Sequence, residues 1–580
     1  MKKIVSLLSF VFAGTLLFAG PADPSPHVYT QPDGSVVRYY MHGDEYLHWM
    51  TDDHGNVIEI GADGFVSPSR MPVQESFSGA AERRMAGFRP RGVESSGLEG
   101  AHTFCVILVE FNDVKFTKTA AQFNKLFNGS GQESGSTGSV KEYWTDQSCG
   151  RFTPSFDIYG PITLPFDLSV FQNDRNGLVS VAASAADPLI DFSKYKNNGE
   201  NNGIDGLVII SAGHSGATSA YGIWPGMGTM YSSPCSTAEG RIYSYCCGPE
   251  LNGSSGTTIA GIGHICHELG HCFGLPDIYD TKRSSHTYAA EPCYKYCLMD
   301  YGSYNDDSKT PPPLSMYEKY LCGWLDNDYN DGIETVTTSG SKTIGEIGRT
   351  SGIRALRINT DMADEFFMCE YRSINSGVNK WSKGLPKGGM IVYHIDKSER
   401  SITIDGETFT AGGFWPTGGH DYNSINNNYQ HPLFYLVNAA DQDRIQLYSE
   451  RYSFDWASLP FPGNSNITSY NPCSWNGTDA YVSLTGMPNI AASSTRTTIS
   501  VNAHVRSFPL INNPGKGVYS SGDKFYLKLS SGLGDTSTVT TWRYDSTPTS
   551  DEYITLSSGS HCIEAVLDDS RTLRLDISVK

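Results

Sequence analysis

Between Gly263 and Asp277 the chain reads GHICHELGHCFGLPD, and no other stretch constrains the fold as tightly. His267 and His271 are four residues apart, so on a helix they share one face with Cβ atoms about 5–6 Å apart. Two imidazoles at that spacing can grip one metal ion, while Glu268 stands beside them within reach of a water on the metal. Gly274 comes three residues after His271, where a helix commonly ends on a glycine in the left-handed conformation. Such a turn swings the chain back, so Asp277 can supply a third ligand through oxygen. Zinc is the natural ion for two imidazoles, a carboxylate and one open position.

Further along, Cys297-Leu298-Met299-Asp300-Tyr301 places a methionine in a Gly-containing loop, as expected of the Met-turn beneath a metzincin zinc site. Glu291 competes with Asp277 for the third position, because it lies twenty residues beyond His271, a thermolysin-like spacing. That geometry needs a helix through the glutamate, and Pro292 biases Glu291 away from helix. Asp277 is therefore preferred, and Glu291 is expected in a surface loop. His264, three residues before His267, is expected as a core or supporting histidine. The chemistry these residues point to is zinc-dependent peptide hydrolysis.

Met1–Ala22 begins with Lys2 and Lys3, runs apolar from Ile4 to Ala19 and ends in small residues. It reads as a secretory signal peptide, so the protein is expected outside the cell or at its surface. No later stretch offers the roughly 18 consecutive apolar residues of a membrane helix. A net charge of −19 argues against nucleic acid or an anionic membrane as partner. Thirteen cysteines permit disulfides in an exported chain, and the odd number leaves at least one thiol unpaired. Cys266 and Cys272 flank the histidines six residues apart, so on a helix they point in different directions and cannot pair with each other.

The expected architecture is multidomain α+β. Residues 23–100 read as a pro-segment and linker, with turn signals at Pro32-Asp33-Gly34, Asp53-His54-Gly55 and Ala62-Asp63-Gly64. Arg83, Arg84, Arg89 and Arg91 lead into a Gly/Ser-rich, cleavable stretch. Within the pro-segment His42, Asp44, Glu45 and His48 are candidates to block the metal. Residues 101–334 read as the catalytic domain, with buried strands at Thr103–Phe111 and Gly206–Ser211 and a helix starting at Ser139. The Asn/Gly-rich 197–205 and the Asp/Asn-rich 326–332 can hold structural calcium, although neither matches an EF-hand loop. Residues 335–506 read as a β-sandwich domain, and 507–580 as an immunoglobulin-like module.

HELGHCFGLPD at 267–277, SVKEYWTDQSCGRF at 139–152, Ile223-Trp224-Pro225, MDYGSYN at 299–305 and PPPLSMYEKYLCGWL at 311–325 together resemble the immune-inhibitor-A-like family of secreted bacterial metallopeptidases. GLPKGGMIVYHID at 384–396 and HPLFYLVNAAD at 431–441 are similar to the β-rich segment that follows the catalytic domain there. The resemblance implies a metzincin-like zincin domain that cleaves proteins or peptides internally. It implies zinc on His267, His271 and Asp277, Glu268 as general base, and Met299 under the site. It also puts Tyr301 where some metzincins carry a tyrosine that stabilises the transition state; a packing role is the alternative. A second reading is a surface-binding or adhesion protein with a vestigial zinc site, contacting glycan or protein through aromatics near Trp475 or Trp542. An intact Glu268 beside three ligands argues against decay.

Overall fold

In a computed structural model the protein is described from residue 17 to 579, except 19–20, 24, 44–47, 62, 70–97, 131–134, 197–202, 205, 231–234, 282–288, 326–331, 361–364, 398–399, 405–406, 412–424, 443, 452, 476–479, 492, 507–509, 512–520 and 531–537. Strands outnumber helices in a mixed α/β chain. It divides into two units, one built from Met1–Asp277 and Ser303–Pro311, the other from Ile278–Gly302, Pro312–Pro416 and Asp421–Lys580.

The apolar run expected at Thr103–Phe111 forms the strand Gly100–Glu110, fully buried from Phe104 to Val109, as an interior strand of a parallel sheet must be. The first unit's six-stranded sheet has the order Leu17–Phe18, Gly226–Thr229, Ser244–Leu251, Leu207–His214, Gly100–Glu110 and Phe152–Thr163. The last four strands run parallel, whereas Gly226–Thr229 pairs antiparallel with Ser244–Leu251. Helix Arg175–Ala186 lays Leu178, Val179, Ala182 and Ala183 against Cys105, Ile107 and Val109 in one core. Helix Val140–Gln147 starts where expected, because Ser139 and Glu142 close a reciprocal capping box. Glu250, fully buried at the end of its strand, accepts from the backbone N–H groups of Thr117 at 2.6 Å, Lys118 at 2.8 Å and Gly213 at 3.0 Å. That carboxylate clasps the loop after the first long strand to the middle of the sheet.

Before this sheet, Pro26–Thr30, Val36–Gly43, His48–Thr51, Val57–Ile60 and Val66–Pro68 form a five-stranded antiparallel meander. Its turns fall on the expected glycines, with Gly34, Gly55 and Gly64 at φ of 84°, 81° and 80°, a conformation that a side chain resists. Tyr39, Met41 and Ile58 pack with Ala217 and Trp224. The arginine-rich linker and most of the expected signal peptide lie outside the described residues.

In the second unit, Ile333–Thr335, Ala355–Asn359, Glu365–Arg372, Gly389–Asp396 and Phe434–Leu436 make one sheet; Gly340–Gly345, Thr498–Val505, Val482–Thr485 and Ser469–Tyr470 make another. Leu356, Phe367 and Val392 of the first share a core with Ile344, Leu484 and Val501 of the second. Towards the C-terminus, Val539–Tyr544, Thr547–Thr549, Gly559–Leu567 and Thr572–Val579 form a smaller sheet, whose Ile563 and Ala565 share a core with Phe525 and Ile554. Trp475 and Trp542 are partly buried against these two cores, so neither is a free aromatic platform.

A buried carboxyl in this unit makes its stability depend on pH. Glu346 is wholly buried, and burial pushes it from 4.5 up to about 7, against the opposing pull of the Gly348 N–H and of Lys319 and Arg372. Between those values the folded chain keeps a proton that the unfolded chain releases. Stability is therefore full below 4.5, falls as pH rises through about 7, and loses roughly 3 kcal/mol at most to this group. Glu346→Gln removes the charge while keeping an oxygen for Gly348. Denaturant unfolding at pH 5 and pH 8 is expected to show a smaller drop in the variant than in the parent; equal drops would exclude Glu346 as the cause.

Candidate metal centre

Helix Gly263–Cys272 is buried over its whole length, and the sequence explains how it can sit so deep. A Cβ at Gly261 would collide with the Ser308 carbonyl, and one at Gly263 with the Ser303 carbonyl. The facing turn is held by three successive left-handed residues, Asp306, Asp307 and Ser308, at φ of 51°, 54° and 62°. Ser308 Oγ lies 3.0 Å from His264 Nε2, and the Tyr304 ring meets His264 edge-on at 4.7 Å. Burial, helped by the charge of His267, lowers His264 to about 4. His264 is thus part of the helix seat, the supporting role expected of it. Gly263→Ala is expected to cost at least about 1–3 kcal/mol, because two backbones must separate. Thermal unfolding measures it, and an unchanged midpoint would show the seat to be soft.

At its other end the helix stops on the expected glycine, with Gly274 at φ 95°. Leu275 N–H then returns to the Gly270 carbonyl at 2.9 Å. This turn delivers a second contact, in which His271 Nδ1–H donates to the Leu275 carbonyl at 2.7 Å. A carbonyl can only accept, so the neutral His271 ring carries its proton on Nδ1 and offers a lone pair at Nε2.

Three atoms converge there. His271 Nε2 and His267 Nε2 are 3.2 Å apart, and Asp277 Oδ1 is 3.2 Å from each of them. All three side chains are buried. Bonds of about 2.0–2.1 Å around a tetrahedral ion set its ligand atoms roughly 3.3 Å apart, so this donor triangle has the dimensions of a zinc site with one position left over. Burial alone would raise the Asp277 carboxyl, but His271 and His267 outweigh it and hold it well below the usual carboxylate range. Glu268 also brings a carboxylate oxygen within 4.8 Å of the ligand nitrogens of both histidines. Two carboxylates thus flank the pair, and Asp277, at 3.2 Å from both rings, has the ligand's distance.

The remaining sequence candidates have contacts of their own. Met299 and Tyr301 belong to the second unit, where the Met299 carbonyl accepts from Ile278 N–H at 2.7 Å and the Tyr301 ring lies 5.4 Å from that of Tyr294. Glu291 also lies there, outside any helix as Pro292 requires. The expectation that it is a surface residue is wrong, since it is 1% exposed. Its N–H bonds to the Gln446 carbonyl at 2.8 Å, a partner too distant in sequence to be foreseen. His42 bonds Thr51 Oγ1 at 2.7 Å, and His48 stacks on Trp224 at 4.6 Å. Asp44 and Glu45 lie outside the described residues, as do most of the 197–205 loop and nearly all of 326–332. The seat at 303–308 was missed by sequence reasoning; the closely spaced Gly261 and Gly263 were its only local signal.

Residues 233–329 match the family described as immune inhibitor A peptidase M6, catalytic domain. No curated protein matches the chain.

Proposed function

We propose, from the membership of residues 233–329 in the immune inhibitor A family of metallopeptidases, that the chain is a secreted zinc endopeptidase acting on proteins or peptides. The observation that carries this reading is the triangle of His267 Nε2, His271 Nε2 and Asp277 Oδ1, with every side 3.2 Å. Zinc held by these three residues would polarise the scissile carbonyl and bring the pKa of the attacking water toward about 7. Glu268, one residue along the helix from His267, takes that water's proton and passes it to the leaving amine. His271 keeps its lone pair aimed at the centre through its bond to Leu275. Tyr301 is the candidate for a further transition-state donor, supported by its place two residues after Met299.

The architecture supports the same reading. A parallel sheet with an antiparallel strand beside it, and a histidine helix against it, is what a metzincin-like catalytic domain over 101–334 requires. Two sheets sharing one core support a β-sandwich over 335–506, and the sheet at the C-terminus supports an immunoglobulin-like module over 507–580. The meander, a sheet of its own that packs Tyr39 and Met41 against Ala217 and Trp224, suits a pro-segment over 23–100, removed after export along with the signal peptide. Casein hydrolysis by the processed chain, lost to a chelator and restored by zinc, is the test. Zinc bound without hydrolysis of any protein substrate would favour the binding-protein reading.

A further inference from the structure

Asp277 is the one member of the donor triangle that does not sit on the histidine helix, so its position depends on the chain to either side of it. Upstream, Leu275 is tied to the helix through Gly270 and His271. Downstream, the next residue, Ile278, has both of its backbone groups engaged. Its N–H donates to the Met299 carbonyl at 2.7 Å, and its carbonyl accepts from Asn426 Nδ2 at 2.5 Å. The Asn426 amide can face only one way, because its Oδ1 accepts from the Phe434 N–H at 3.0 Å and an N–H can only donate. Nδ2 is thereby turned to two carbonyls, that of Ile278 and that of Phe434 at 2.8 Å. The next residue, Asn427, works three positions further along, where its Oδ1 accepts from the Thr281 N–H at 3.0 Å and from the Thr281 hydroxyl at 3.2 Å. Both asparagines are fully buried. Both belong to the second unit, of which Ile278 is the first residue.

From these bonds we infer that Asn426 and Asn427 are positioning residues for the metal centre, acting on Asp277 through the backbone that follows it. The inference rests on the proposed reading of Asp277 as a zinc ligand. A loop already fixed by buried hydrogen bonds does not have to be ordered when the ion binds, and avoiding that cost tightens binding. Asn426 acts on the residue peptide-bonded to the ligand and carries the larger share. Asn427 anchors the same segment at Thr281 and carries the smaller one. Asn426 comes 149 residues after Asp277, so the metal centre is not self-contained in the stretch that supplies its ligands. Removing the Asn426 side chain also strips partners from the Ile278 carbonyl and from both backbone groups of Phe434, which frees the segment rather than merely leaving a small void.

The test is zinc affinity, measured on the full chain by competition with a chromophoric chelator, for the parent, Asn426→Ala, Asn427→Ala and Asn438→Ala. Asn438 is the control, a buried asparagine of the same unit whose Oδ1 accepts from the Ala440 N–H at 2.9 Å. Asn426→Ala is expected to weaken zinc binding by about tenfold or more, as altered support of a ligand does. Asn427→Ala should weaken it less, and Asn438→Ala should leave it unchanged. Equal affinity in parent and Asn426→Ala, or an equal loss in Asn426→Ala and Asn438→Ala, would overturn the inference. Hydrogen exchange on the zinc-free parent needs no variant and stands even where Asn426→Ala does not fold. The Thr281 amide is expected to exchange slowly before any ion is bound, and fast exchange there would overturn the inference too. A parent that binds no zinc sinks the zinc reading itself, whereas zinc held equally by parent and Asn426→Ala sinks only the clamp, so the two fail separately.

Discussion

Glu268→Gln is expected to leave the metal bound while lowering peptide hydrolysis by about 10²–10⁴-fold, the usual contribution of a positioned general base. The substitution changes almost no volume at a residue only 1% exposed, so the helix has no reason to move. It removes only the capacity to accept a proton. His267, His271 and Asp277 keep their mutual distances, and metal content measured on purified variant and parent should agree. The loss should appear in kcat as well as in kcat/KM, since the proton is transferred in the transition state. Hydrolysis within tenfold of the parent, with metal present in both, would remove Glu268 from the mechanism.

Asp277→Ala should act on the metal first. Asp277 Oδ1 is 3.2 Å from both ring nitrogens, and it is the one anionic member of the triangle. Without it the ion would have two imidazoles in a buried site and no charge to offset its own. Altering a partner that merely supports a ligand costs 10–100-fold in affinity, so losing a ligand outright should cost more than about 100-fold. Zinc content after gel filtration should fall well below that of the parent, with activity following it. Full occupancy in Asp277→Ala would contradict the ligand assignment and return attention to the Glu268 carboxylate.

The contrast between these two variants follows from what the sequence made legible. Two histidines four apart, a glycine that ends the helix and an aspartate just beyond form a local pattern. Local geometry alone brings them together, and the same is true of the Ser139–Glu142 cap and the glycine turns of the meander. Where sequence reasoning failed, a distant partner decides the outcome. Glu291 is buried with its N–H on Gln446, and no neighbour in sequence announces that. The helix seat depends on Ser303 and Ser308, some forty residues after the glycines that admit them. Thr335–Ile347 reads as one alternating stretch, yet Ile333–Thr335 and Gly340–Gly345 join different sheets. Alternation reports a half-buried strand but does not say which sheet receives it.

The central claim is tested most directly by measuring zinc and casein hydrolysis on one preparation of the processed chain, beside Glu268→Ala prepared in the same way. The expected result is about one zinc per chain in both, as a three-ligand catalytic site holds, with hydrolysis only where Glu268 is present. A parent without zinc, or equal hydrolysis by both proteins, would contradict the account.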